Sequence, residues 1–280
     1  PNFMKILKHS GALVEFDARK LHNSLIKSGA NEATVHDILQ QIEAQIYDGM
    51  STKQIYKTAF GLLKKTAHSH AARYNLRQAI EQLGPAGFFF EKFIARLFST
   101  EGYQTQTNLI LPGKCVSHEV DVVIKKNEQL SMIECKFHAQ RESVTDVKVP
   151  MYILSRFNDL KNQEHLLFDA LCPIHHCWIV TNNRFSSDAL RFGRCSGLHL
   201  LSWDYPENHN LRDKIDADHL YPITCLTTLT LNEKNQLMEQ NIILVKELLH
   251  QTSALDDIHL SSNRIKNILK EARELCQQKL

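Results

Sequence analysis

The sequence predicts an α+β and α/β multidomain protein. It reads as a small, mostly helical amino-terminal domain, a central domain with the order α-β-β-β-α-β around a mixed sheet, and a helical carboxy-terminal region. Three observations predict this. The 280 residues are too many for one small domain. Strand-like runs alternate with helical ones in the middle of the chain, as in a sheet covered on both faces. "GPAG" at 84–87 is the clearest break in the pattern. The domains are therefore placed at 4–83, 84–206 and 221–280.

The elements follow in order. Met4 is taken as the natural start, with Pro1 to Phe3 left out of the fold reading. "KILKHSGALVEF" reads as strand, turn and strand, with Gly11 in the turn. Asp17 is placed to cap a helix that Gly29 stops. Val35, Ile38, Leu39, Ile42 and Ile46 recur at helical spacing in the next segment. Two more helices are expected over 51–84, the first capped by Ser51 or Thr52. A helix "FFFEKFIARLFSTEGY" opens the central domain, and strands follow near 107–111, 118–125 and 130–137. A helix is expected from Pro150 to Leu160, then a strand "CWIVTN", a helix "SSDALRFGRCSG" and a strand "LHLLSW". The last sixty residues carry two amphipathic stretches, "LNEKNQLMEQNIILVKELLHQ" and "LSSNRIKNILKEARELC".

Composition narrows the class. No apolar run approaches the roughly 18 residues of a membrane span, so no membrane partner is expected. Seven cysteines are scattered without a framework of spacings, which reads as a reduced, cytoplasmic protein. A net charge of +2 gives no bulk support for nucleic-acid binding, so any basic surface must be local. "CPIHHC" at 172–177, with Cys195 or His199, hints at zinc but lacks a second ligand pair of standard spacing.

The informative feature is charge inside strands. Residues two apart on a strand share a face, so Glu134 and Lys136 point one way while Ile133, Cys135 and Phe137 point the other. Asp121 lies beside them if the two strands pair as a hairpin. Glu119 is a rival acid, expected on the opposite face. Two adjacent carboxylates repel, and a divalent cation such as Mg²⁺ or Mn²⁺ would relieve that. A nearby lysine can hold a phosphate oxygen or orient water. Together these residues suit metal-assisted phosphodiester hydrolysis. Glu91 shares a helix face with Phe88, Ile94, Ala95 and Phe98, so it sits on an apolar stripe and wants a partner. Lys148, Tyr152 and Arg156 follow the site in sequence, as DNA-backbone contacts or as solvated helix charges.

"GFFFEKFIARLFSTEGY", "HEVDVVI" and "IECKF" resemble the PD-(D/E)XK nuclease superfamily, in its Mrr-like restriction-endonuclease branch, over 84–205. The resemblance implies that Asp121 and Glu134 ligate the metal. It makes Glu91 the helix acid, touching metal directly or through water, Lys136 the group that stabilises the transition state or positions water, and Gln140 an accessory polar residue. Val120 stands where the family name has proline. The start of the chain resembles the ATP-cone, a regulatory nucleotide-binding domain of ribonucleotide reductases and their repressor. The matching residues are Ile6, Lys8, His9, Ser10, Gly11, Phe16, Asp17, Lys20 and Leu21, then Thr52 with Ile55, then Ala71, Tyr74, Leu76 and Arg77. That resemblance implies ATP or dATP held by Ile6, Lys8, His9, Ser10, Gly11, Lys20, Thr52 and Arg77. His9 and Ser10 replace the family's usual arginine and aspartate. With no Walker-type phosphate loop, the domain is expected to sense nucleotide rather than hydrolyse it. The carboxy-terminal stretch resembles a helix–hairpin–helix unit, with "LDDIHLSSN" where hairpin glycines would stand.

The expected function is a divalent-metal-dependent DNA endonuclease, regulated allosterically by ATP or dATP and acting in defence against foreign DNA. A homo-oligomer, dimer or tetramer, is expected, because cutting both strands needs two sites. Two other readings stay open: a nucleotide-sensing DNA-binding regulator with the nuclease fold as scaffold, and cleavage of RNA.

Overall fold

The computed structural model describes residues 4–84 and 87–277. The chain folds into two compact units, one formed by the residues up to Ala79 together with those from Ile223 onward, the other by Ile80–Pro222.

The first unit opens with a hairpin, β1 (Lys5–Leu7) and β2 (Leu13–Glu15), paired antiparallel. Its turn is closed by the Lys8 N–H donating to Ala12 O at 2.9 Å and the Gly11 N–H to Lys8 O at 2.9 Å. Gly11 adopts φ +82°, where a side chain would be strained. Helices α1 (Ala18–Lys27), α2 (Glu32–Glu43) and α3 (Thr52–Thr66) follow. Asp17 caps α1 through the Arg19 N–H, and Ser51 with Gln54 forms a capping box on α3. Leu25, Val35, Ile38, Ile42, Ala59 and Leu63 are fully buried and make the core. The two helices expected over 51–84 are three in the structure, because α4 (His68–Tyr74) and α5 (Leu76–Glu81) are separated from α3 and from each other. Ala67 breaks the first junction by taking extended backbone.

In the second unit α6 (Phe88–Thr100) buries Phe90, Phe93, Ile94, Leu97 and Phe98. Phe88, expected on that stripe, is instead exposed. Then come β3 (Gln104–Pro112), β4 (Ser117–Lys126), β5 (Gln129–Lys136) and β6 (Val144–Thr145). They are followed by α7 (Lys148–Leu160), β7 (His165–Leu167), β8 (Ala170–Cys172), β9 (His176–Thr181), β10 (Arg184–Phe185), α8 (Ser187–Cys195), β11 (His199–Leu201) and α9 (Leu211–Ala217). The main sheet runs β11-β9-β5-β4-β3. Its β3–β4 and β4–β5 pairs are antiparallel, and β5–β9 and β9–β11 are parallel, so the sheet is mixed as expected. The first strand is longer than expected. The β7–β8 hairpin, which carries exposed Leu166 and Leu171, has no counterpart in the sequence reading.

The carboxy-terminal residues form α10 (Leu231–Glu239), α11 (Val245–His250), α12 (Ala254–Asp257) and α13 (Ser262–Gln277). The first amphipathic stretch splits between α10 and α11, where Asn241 takes φ +66°. Helix α13 packs on α4 within the first unit. Glu271 on α13 is 2% exposed. Its carboxylate accepts the N–H and hydroxyl of both Thr227 and Thr228, at 2.6 to 3.0 Å.

Candidate active site

The site lies where β4 and β5 separate. Their register pairs Val122 with Ile133 and Val123 with Met132, so continuing it sets Asp121 opposite Glu134. Strand β5 is central, and Leu130 through Glu134 are buried. An ionised glutamate there needs compensation. Both Glu134 oxygens have it. Lys136 Nζ donates to Oε1 at 2.7 Å and Arg156 to Oε2 at 2.6 Å. Asp121 accepts the Cys135 N–H at 2.7 Å. Burial first, then the Glu134 charge, raises the Asp121 carboxyl from 3.8 to about 7.

Glu91 lies in the first turn of α6, where the helix dipole favours an acid. Burial raises its pKa, with further contributions from the charges of Glu119 and Glu134. The structure therefore brings Glu91, Asp121, Glu134 and Lys136 into one electrostatic group. Glu119, expected on the opposite face, stands two residues from Asp121 and so shares its face of β4, where its charge acts on Glu91.

Among the described residues, no three His, Cys, Asp or Glu side chains converge to hold a metal ion. That applies to the three-acid set of Glu91, Asp121 and Glu134 and to the "CPIHHC" segment alike. A Mg²⁺ site, however, commonly uses only one or two carboxylates and keeps several waters. The Asp121–Glu134 pair, hard oxygens that repel each other, fits that chemistry.

Gln140 is exposed, and its backbone carbonyl accepts Asn183 Nδ2 at 2.6 Å and the Ser143 N–H at 3.2 Å. Buried Asn182 and Asn183 pin the loop after Lys136, bonding His138 O at 2.8 Å and Ser143 O at 3.0 Å. Sequence reasoning missed both asparagines and the role of Arg156, whose side chain is 11% exposed and pairs with Glu134 rather than with solvent. The available signal was position: Ile153, Arg156 and Leu160 fall at helical spacing on one face of α7, as Glu91 does on α6. Lys148 and Tyr152 are exposed on the same helix.

In the first unit Lys8, His9, Ser10 and Gly11 form the exposed hairpin tip, and Lys20 is exposed on α1. Ile6 is buried beneath the tip. Leu7 bridges to Ser51 in a parallel sense, so the tip lies beside Thr52 at the amino terminus of α3. A helix start and lysines nearby suit an anion, although the capping box already takes the Ser51 and Gln54 N–H groups. Arg77, on α5, is half-buried.

Comparison with known proteins matches this layout. The family described as ATP cone domain covers residues 4–80, and the one described as restriction endonuclease covers 85–205. The chain thus carries an ATP-cone domain followed by an Mrr-like restriction-endonuclease domain. A third family, AF1548-like, C-terminal, covers 221–276. A curated protein of Archaeoglobus fulgidus, described as uncharacterized, is 31% identical over 183 residues, which is 99% of its length. The crystal structure of AF1548, a protein of unknown function, superposes with a TM-score of 0.57 at 30% identity, over 68% of this chain and 97% of that one. The chain belongs to the AF1548-like family. A far looser likeness, to the MspJI restriction endonuclease bound to an oligonucleotide, has 14% identity and a TM-score of 0.32 over 47% of this chain and 29% of that one.

Proposed function

We propose that this protein is a divalent-metal-dependent DNA endonuclease whose activity is set by ATP or dATP at its amino-terminal domain. The observation that carries the reading is Asp121 facing Glu134 with Lys136 bonded to the glutamate. Asp121 and Glu134 would hold Mg²⁺ or Mn²⁺, with Glu91 contributing through water, and the exposed Gln140 would act as an accessory group at most. The metal, when bound, supplies charge neutralisation at phosphorus and a lowered water pKa. Lys136, about one-third exposed, can reach a phosphate oxygen while its Glu134 bond fixes its ammonium. Asp121 in its ionised form can accept a proton from an attacking water.

The nucleotide would sit against Ile6, Lys8, His9, Ser10, Gly11, Lys20, Thr52 and Arg77. It regulates cleavage only if it binds two states of the protein with different affinity. The domain limits 4–83, 84–206 and 221–280, a homo-oligomeric assembly, a cytoplasmic location and a part in defence against foreign DNA belong to the same proposal. No described helix is long and apolar enough to cross a membrane.

The test is cleavage of supercoiled plasmid with Mg²⁺, with chelator, and with ATP or dATP added, beside a matched RNA. The expected result is DNA cutting that chelator abolishes and nucleotide changes. Nucleotide binding without cutting of either nucleic acid would move the protein to the regulator class, and cutting of RNA alone would change the substrate.

A further inference from the structure

We propose that Arg156 is the resident counter-ion of the nuclease site: it occupies the Glu134 oxygen that a divalent cation takes, so that metal loading and release of a guanidinium are one event. This rests on the metal-dependent reading above. Arg156 reaches Glu134 Oε2 at 2.6 Å, and its second amino group donates to the Glu119 carbonyl. One planar fork therefore ties β4 to β5 at the point where they part, a geometry that lysine cannot reproduce. Lys136 covers the other oxygen. In this arrangement each Glu134 oxygen already accepts a cationic donor.

The pairing is built rather than incidental. Both side chains are largely buried, 11% exposed for Arg156 and 6% for Glu134. Helix α7 is clamped three residues further on. There Asp159 accepts the Cys115 N–H at 2.9 Å and the Val116 N–H at 3.3 Å, and meets His118 Nε2 at 2.8 Å. Arg156 is thus delivered by a fixed helix.

Charge balance explains why it is there. Glu91 feels the charges of Glu119 and Glu134, Asp121 feels those of Glu134 and Glu91, and Lys136 alone is a weak match for them. A second cation makes the metal-free site tolerable. With a divalent ion at Glu134, Arg156 would be redundant there and would be free to act as a bidentate phosphate donor beside the site. A buried ion pair is by itself weak evidence of a stability role, and one that exchanges with metal has a different signature.

The experiment is calorimetric titration of Mn²⁺ alone into the full chain, as wild type, Arg156→Gln, Arg156→Lys and Glu134→Gln, each checked for folding by circular dichroism. Removing a buried partner leaves its mate uncompensated, so Arg156→Gln is expected to bind Mn²⁺ about tenfold more tightly. Its metal-free melting temperature should fall, and its Mn²⁺-induced rise should exceed that of wild type. Arg156→Lys should lie between, at roughly threefold tighter, and it carries the test if the glutamine variant does not fold. A packing role would leave metal affinity unchanged or weaken it. A folded arginine variant that binds Mn²⁺ no more tightly than wild type, while Glu134→Gln loses the site, overturns the counter-ion role and leaves the metal reading standing. Absence of Glu134-dependent Mn²⁺ binding in every chain overturns both.

Discussion

Two glutamates are buried to nearly the same degree, one in each unit, and their partners differ in kind. Glu271 is 2% exposed and Glu134 5%. Glu271 is held by two N–H groups and two hydroxyls of Thr227 and Thr228. These donors are neutral and fixed by the local chain, and the nearby Lys234 adds only its charge. Glu134 is held by Lys136 and Arg156, two side-chain cations, with Asp121 opposite adding repulsion. A carboxylate satisfied by fixed dipoles is an anchor. A carboxylate satisfied by cations, beside a second carboxylate, is ready to exchange one cation for another. Burial alone does not separate the two, and the chemistry of the donors does.

The strongest way to break this comparison is to remove the cation that faces substrate. Lys136→Ala should lower single-turnover cleavage by about a hundred- to a thousandfold while Mn²⁺ binding persists. An unchanged rate would place the lysine with the structural pairs. Next in size, Glu271→Ala should cost about 3 kcal/mol or more, since it strands four donors around a buried site. A urea titration reads that as an earlier midpoint, and a change near zero would mean Glu271 is no anchor.

A smaller effect sharpens the contrast through pH. Asp121 holds its proton more tightly folded than unfolded, at about 7 against 3.8. Its stabilising contribution is therefore present below 3.8 and lost as pH rises through about 7. Metal-free wild type should lose thermal stability from about pH 4 to about pH 7, and Asp121→Asn should flatten that slope. Equal slopes would remove Asp121 from the coupled pair. The smallest effect belongs to the exposed hairpin tip. Lys8→Ala should weaken ATP or dATP binding by about tenfold with no measurable change in melting temperature. A large stability loss there would mean that the turn is structural.

These differences also explain what the sequence could reveal. Glu134 and Lys136 stood out because a charged pair in an otherwise apolar strand has few innocent explanations, and Glu91 stood out on its apolar stripe in the same way. Arg156 carried the same signal on α7, but both readings open to it, DNA-backbone contact and solvated charge, leave it at the surface, since its partner lies 22 residues away on another element. Asn182 and Asn183 are polar residues after a strand, ordinary until the loop they pin is seen. The hairpin of 165–172 and the break at Asn241 depend on local backbone states that apolar spacing does not encode. The proposed nucleotide site was legible only through resemblance, because exposed lysines around a turn carry no pattern of burial to betray them.

The most direct test of the central claim compares wild type with Glu134→Gln on supercoiled plasmid in Mg²⁺, the variant keeping shape and hydrogen-bonding capacity but not charge. The account predicts that cleavage falls by about a thousandfold or more, while the variant stays folded and loses far less stability than Glu271→Ala. Cleavage at the wild-type rate by a folded Glu134→Gln protein would contradict it.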